Sequence, residues 1–205
     1  MEATSLQPDN AARAMLEAQI RECFGRVVYS HKTHEKCADI LLCRLSWLKH
    51  TQIVLSVLVS GSLLTAMVGD QPSKGVIPTV LSGILLFINL YFKNYNYGQM
   101  AQSHKESADR LWNARESYLC LLTDLNCGIL TLSQAADKRD KLQKEVATIH
   151  SNAPRTNSNA YHKAQDALKY REDMTFSVEE IDAFLPEALK MGKRDEPQKP
   201  RKSEI

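Results

Sequence analysis

Glycine and proline are scarce in this chain, eight and seven among 205 residues, and no run of residues alternates apolar with polar. A sheet is disfavoured on both counts, and Lys, Arg, Glu, Asp, Ala and Leu at helical spacing predict an all-α protein. Net charge is small, +2 over the whole length, so no nucleic acid is expected as a partner of the chain as a whole. Cys23, Cys37, Cys43, Cys120 and Cys127 are odd in number and contain no Cys-x-x-Cys pair, which fits buried thiols in a reducing cytosol. The N-terminus has no basic segment leading into an apolar core, so no cleavable signal peptide is expected.

Catalytic signatures are missing as well. There is no Gly-rich phosphate loop, no serine nucleophile elbow and no His-Glu-x-x-His helix. His31, His34 and Cys37 follow one another at steps of three, but such steps drift by about 60° each around a helix, and no fourth ligand is evident. They read as neutral surface histidines beside a half-buried cysteine. Glu179 and Glu180 are adjacent, point to different sides of a helix and suit capping rather than acid–base work. No enzymatic activity, cofactor or metal is expected.

What the chain does have is two uncharged apolar stretches, residues 51–69 and 75–92, separated only by residues 70–74. As helices they span roughly 28 and 27 Å, close to the ~30 Å hydrocarbon core of a bilayer. This predicts a two-helix transmembrane hairpin. Lys32, Lys36, Arg44 and Lys49 precede the first stretch and Lys93, Lys105 and Arg110 follow the second, against a lone Lys74 between them. Positive charge on the flanks places both termini in the cytoplasm. The chain thus divides into N-terminal cytoplasmic helices (1–50), the hairpin (51–92), a C-terminal cytoplasmic helical region (93–189) and a basic tail (190–205) expected to be disordered.

Small residues recur at steps of four inside the hairpin: Gly61, Thr65 and Gly69 on the first span, Gly75, Thr79 and Gly83 on the second. Such stripes let helix backbones approach closely in lipid. Counted outward from the loop, Gly69 pairs with Gly75, Thr65 with Thr79 and Gly61 with Gly83, predicting the seam of the hairpin. Gln52, Ser56 and Ser60 share another face, and Ser82 and Asn89 share one on the second span. Polar groups at membrane depth face protein or water, making these faces candidates for a pore lining or a subunit contact. The alternative is that the serines bond back to their own helix carbonyls.

The flanking segments predict long helical extensions packed as a bundle. Cys37, Ile40, Leu41, Leu45 and Leu48 repeat at helical spacing before the first span. After the second, His104, Ala108, Leu111, Arg115, Tyr118, Leu122, Leu125 and Ile129 alternate by three and four as in a heptad seam, widened by Trp112 and Leu119. A stop is expected at residues 126–128, then a helix capped by Ser133 with Ala136, Leu142, Val146 and Ile149 as its apolar face. Residues 151–159 form a loop, residues 160–171 a helix, and Ser177 with Glu180 a capping box opening a last helix whose apolar face is Ile181, Phe184 and Leu185.

The hairpin, the flanking helices and the closing runs NAPRTNSNAYHKAQDALK and TFSVEEIDAFLP together resemble the SLATT domain, the SMODS and SLOG-associating 2TM effector domain of bacterial conflict systems. The resemblance covers roughly residues 15 to 190. It implies an inner-membrane effector encoded near a nucleotidyltransferase, a SLOG sensor or a reverse transcriptase, which oligomerises and forms a pore or disrupts the membrane on infection. It carries no active-site residues. The other reading is a non-conducting scaffold that anchors a partner at the bilayer. If the trigger is a nucleotide second messenger, Arg155, Tyr161, Lys163 and Lys169 are the cluster with fitting basic and aromatic character; the same residues also suit an ordinary solvated helix face.

Overall fold

A computed structural model describes residues 6–68, 75–186 and 189–191 of the chain, and no strand occurs among them. Gly69, the 70–74 loop, the side chain of Thr65 and the tail from residue 192 lie outside the described residues. The first element is a single helix, α1, running 63 residues from Leu6 to Val68. Its length follows from the sequence. Pro8 sits in the first turn, where the missing N–H costs nothing, and the next proline is Pro72. The separate N-terminal helices and first span expected from the sequence are therefore one rod, about 95 Å long at 1.5 Å per residue.

Helix α2 (Val76–Asn94) returns alongside α1, and α3 (Tyr97–Asn126) continues from it after a two-residue break in which Tyr95 is extended and Asn96 caps the new helix. The Asn96 side chain accepts the Gln99 amide at 3.1 Å. Helix α3 packs principally on α1, and α4 (Leu132–Asn152) closes the bundle against both. The expected stop after α3 is present in full. Gly128 takes φ 72°, and the amides of Gly128 and Ile129 bond the carbonyls of Leu125 and Asp124 at 3.1 and 3.0 Å, a Schellman ending that needs a left-handed residue.

The core lies where the heptad spacing puts it. Ile20, Cys23 and Val27 of α1 pack with Leu111, Ala114, Tyr118, Leu121 and Leu125 of α3 and with Ala135 and Ile149 of α4. Further along α1, Ala38 and Leu41 meet Ala101, and the two alanines let the backbones close up. Burial raises the pKa of the Tyr118 hydroxyl to about 12, with Cys23 adding to the shift. Of the predicted α3 seam, Arg115 and Leu122 are half-buried, and Ile129 is 68% exposed because it lies past the helix end.

Two local expectations are corrected. The cap of α4 is Thr131 rather than Ser133: Thr131 and Gln134 exchange a side-chain and a backbone bond, at 3.3 and 3.0 Å, that a cap at Ser133 would forgo. With that start, Ala135 and not Ala136 joins Leu142, Val146 and Ile149 on the buried face. The chain divides into two compact units, Met1–Ala164 and Gln165–Ile205, the boundary falling inside α5 (Ser158–Tyr170). In the second unit α6 (Val178–Phe184) opens on the expected Ser177–Glu180 capping box. It buries no residue, leaves Phe184 87% exposed, and ends before Leu185, which becomes its C-cap.

Replacing Leu111, fully buried between α1 and α3, with Ala should cost about 2–5 kcal/mol. Leu119→Ala on the outer face of the same helix should cost under about 1 kcal/mol. Thermal unfolding followed by circular dichroism separates the two; equal losses would mean that the bundle is not packed through this seam.

Candidate functional site

Beyond residue 51 the character of α1 changes. Ile53, Val54, Val57, Leu58, Leu63 and Leu64 are all more than half exposed, and so are Val76, Ile77, Val80, Leu86, Phe87 and Leu90 on α2. An apolar surface this extensive on a folded chain marks a place where something other than water is expected to lie. Among the described residues, one helical run, Val76–Asn126, holds a stretch apolar and long enough to cross a membrane, and only 6% of it is buried. A soluble core helix would be mostly covered. The matching stretch on α1 runs to Val68, where the described residues break off.

The facing sides of α1 and α2 are marked by half-buried Leu55, Val59 and Ser62 on one helix and by Pro78, Leu81, Leu85 and Ile88 on the other. At the end of the pair away from residues 70–74, the Gln52 amide donates to the Asn89 side chain at 2.8 Å, so two groups assigned to separate polar faces satisfy each other within the chain. The predicted glycine seam is not found there. A Cβ at Gly61, Gly75 or Gly83 would meet nothing within 4 Å. Gly61 lies two residues past Val59, and Gly83 two past Leu81, about 200° around each helix, which turns both outward. Thr79 is exposed and bonds back to the Gly75 carbonyl at 2.8 Å. Ser56 and Ser60 likewise bond the carbonyls of Gln52 and Ser56, at 2.8 and 2.9 Å, and Ser82 is exposed. The Ser56 and Ser60 hydroxyls are thus satisfied by their own helix.

The bundle holds the more unusual chemistry. His31, His34 and Cys37 are 5%, 3% and 1% exposed, not the surface histidines and half-buried cysteine expected from their spacing. They lie where α1 meets α3. The His31 Nδ1–H donates to the Ala108 carbonyl at 2.9 Å, while His34 Nδ1 lies 2.9 Å from His104 Nδ1. One ring of that pair must donate and the other accept, so the pair holds together only while at least one ring is neutral. Burial pushes the His34 pKa down from 6.5 to about 4, with His104, His150 and His31 adding to the shift; burial lowers His104 too. Cys37, whose Sγ faces the Asn157 amide at 3.9 Å, has its thiol pKa raised by burial. Nearby, Arg115 lies over the Trp112 ring at 4.6 Å and pairs with Glu116.

Behind His34 a cavity of about 160 Å³ is lined by Tyr29, Ser30, Thr33, His34, His150, Thr156 and Tyr161, and the rings of Tyr29 and Tyr161 stack at 6.1 Å. Of the cluster singled out as a ligand sensor, Tyr161 alone reaches this cavity. Arg155 and Lys163 are exposed outside it, and Lys169 belongs to the second compact unit. Sequence reasoning missed His34, His150 and Thr156 as its wall. His34 and His104 were legible only as separate residues on two helices, and His104 alone stood on a recognised seam. Among the described residues no three His, Cys, Asp or Glu side chains are placed to hold a metal ion.

A family profile, that of the SMODS and SLOG-associating 2TM effector domain family 4, matches residues 16–180. The chain belongs to this family. The match takes in the bundle, both apolar segments and the start of α6, so the SLATT domain is essentially the whole described protein. No curated protein and no solved structure matches the chain.

Two outcomes follow for the SLATT chain. His34 stays neutral in the folded protein down to about pH 4, whereas the unfolded chain takes up its proton near 6.5. Stability is therefore full above pH 6.5 and falls as the pH drops toward 4. A melting series across that range should show the loss, and His34→Gln should flatten it; an unchanged slope would remove His34 as its source. Gly83→Leu, which meets open space, should leave the chain's own melting temperature within about 2 °C of the parent. A clear drop would put the glycine back at an intrachain contact.

Proposed function

We propose that the protein is a non-enzymatic effector of a bacterial anti-phage system that crosses the inner membrane as a two-span hairpin, with both termini in the cytoplasm. On a signal from a nucleotidyltransferase, SLOG sensor or reverse transcriptase system, or from a nucleotide second messenger, copies assemble and breach the bilayer. The observation that carries this reading is the abrupt change along α1, from side chains buried against α3 to apolar side chains that face outward uncovered. Lipid is the solvent such a surface fits. Both flanks are basic, which favours keeping them inside. Two spans cannot enclose an aqueous path, so a breach requires several copies. The outward-turned Gly61, Thr79 and Gly83 offer those copies a surface on which backbones can approach closely.

Topology and action are tested separately. With the native cysteines replaced, Ser73→Cys should react with an impermeant thiol reagent in intact cells, and Ser203→Cys should react only after lysis. Labelling at 203 in intact cells sinks the hairpin orientation. Co-expression with an activating partner should collapse the membrane potential, and changing Gln52, Ser56 and Ser60 together to Leu should leave insertion intact while weakening assembly or depolarisation. An unchanged potential with the partner still retained at the membrane would instead establish the scaffold.

A further inference from the structure

At the cytoplasmic foot of the apolar pair, just below the Gln52–Asn89 bond, α1, α2 and α3 enclose a cleft of about 580 Å³. Its walls are almost entirely carbon, from Trp47, Leu48, Phe87 and Tyr91, and its one charged side chain is Arg44. The Tyr91 hydroxyl meets that of Tyr97 at 2.8 Å, and the Tyr95 ring stacks on both, at 4.6 and 6.0 Å, fixing an aromatic shelf at the helix break. Trp47 and Phe87 remain 68% exposed, unusually open for rings this large.

We infer that this cleft binds one anionic phospholipid of the cytoplasmic leaflet, its acyl chains along Trp47 and Phe87 and its phosphate on the Arg44 guanidinium. The inference rests on the membrane reading above. Charge selects the occupant. From residue 40 to residue 105 the sequence contains Arg44, Lys49, Lys74, Lys93 and Lys105 but one carboxylate, Asp70, in the distant loop. Asp39, the nearest acid along α1, is five residues and about 140° around the helix from Arg44 and is paired with Lys36 at 3.4 Å. Among the described residues no carboxylate lines the cleft, which leaves Arg44 open to an anion from outside. A zwitterionic headgroup would add its own cation to this basic rim, whereas a net-negative one complements it. Trp and Tyr at this depth match the headgroup boundary, where amphipathic rings settle.

The chain has two tryptophans, so Trp112→Phe leaves Trp47 as the reporter in the cleft. In vesicles of mixed phosphatidylglycerol and phosphatidylcholine, phosphatidylglycerol brominated in the upper acyl chain should quench Trp47 more strongly than brominated phosphatidylcholine at the same mole fraction. The preference should be about fivefold in apparent affinity, the size expected for one basic residue. Arg44→Gln should abolish it while quenching by total lipid persists. Equal quenching by both lipids, or a preference that survives Arg44→Gln, overturns the lipid site and leaves membrane insertion standing; no quenching by either lipid overturns both. Native mass spectrometry of the unsubstituted chain gives a second readout independent of Trp112→Phe. One retained anionic lipid per chain, lost in Arg44→Gln, is the result expected, and a bare chain overturns the site.

Discussion

An unbroken backbone hydrogen-bond ladder from Leu6 to Val68 is the constraint on which everything else depends. A helix this long cannot be stabilised by propensity alone; it must be covered along its length, and α1 is covered in two ways. Its first two-thirds are buried by α3 and α4, with the close-packed layers of Ile20, Leu111 and Tyr118 at one end and Ala38 and Ala101 at the other. Its last third runs beside α2 and leaves most of its apolar side chains uncovered. Bundle and apolar pair are thus two environments strung on one rigid element.

Within the bundle, polar chemistry interrupts the apolar seam most plainly at the histidine layer. His31 is held by a backbone carbonyl and His34 by His104, so each buried ring has a hydrogen-bond partner. Protonation is costly because it asks the same buried layer to hold charge in a site with three other histidines near His34. Such an arrangement specifies the register of α1 on α3 more narrowly than leucines would, since a slip of one heptad separates the two rings.

Much of the fold could be read from local pattern. The three-four spacing of α3 named His104, Ala108, Leu111, Tyr118 and Leu125 as buried, the 126–128 stop ended in the glycine that a left-handed residue requires, and the Ser177–Glu180 box capped a helix as expected. These are signals carried by a few neighbouring residues. What pattern could not supply was angular phase between helices. The glycine stripes of the two spans are real in spacing, but spacing does not say which way a stripe faces, and the packing of Leu55 and Val59 against α2 turns it outward. The same limit hid the cavity beside His34, whose walls come from three separate segments, each ordinary alone. Thr131 is a different case: Gln134 three residues on was visible in the sequence, and reciprocity of the capping box distinguishes it from Ser133.

The continuity of α1 also sets an angular relation between its two ends. From His34 to Gly61 is 27 residues, about seven and a half turns, so the two residues look in opposite directions from the same axis. While the helix stays intact, a roll that swung Gly61 around to face α2 would carry His34 away from His104 by the same angle. The apolar pair cannot trade its present contact face for the glycine face without unlocking the histidine layer some 40 Å away. The rod works as a camshaft, on which the lobe at one end fixes the timing of the lobe at the other.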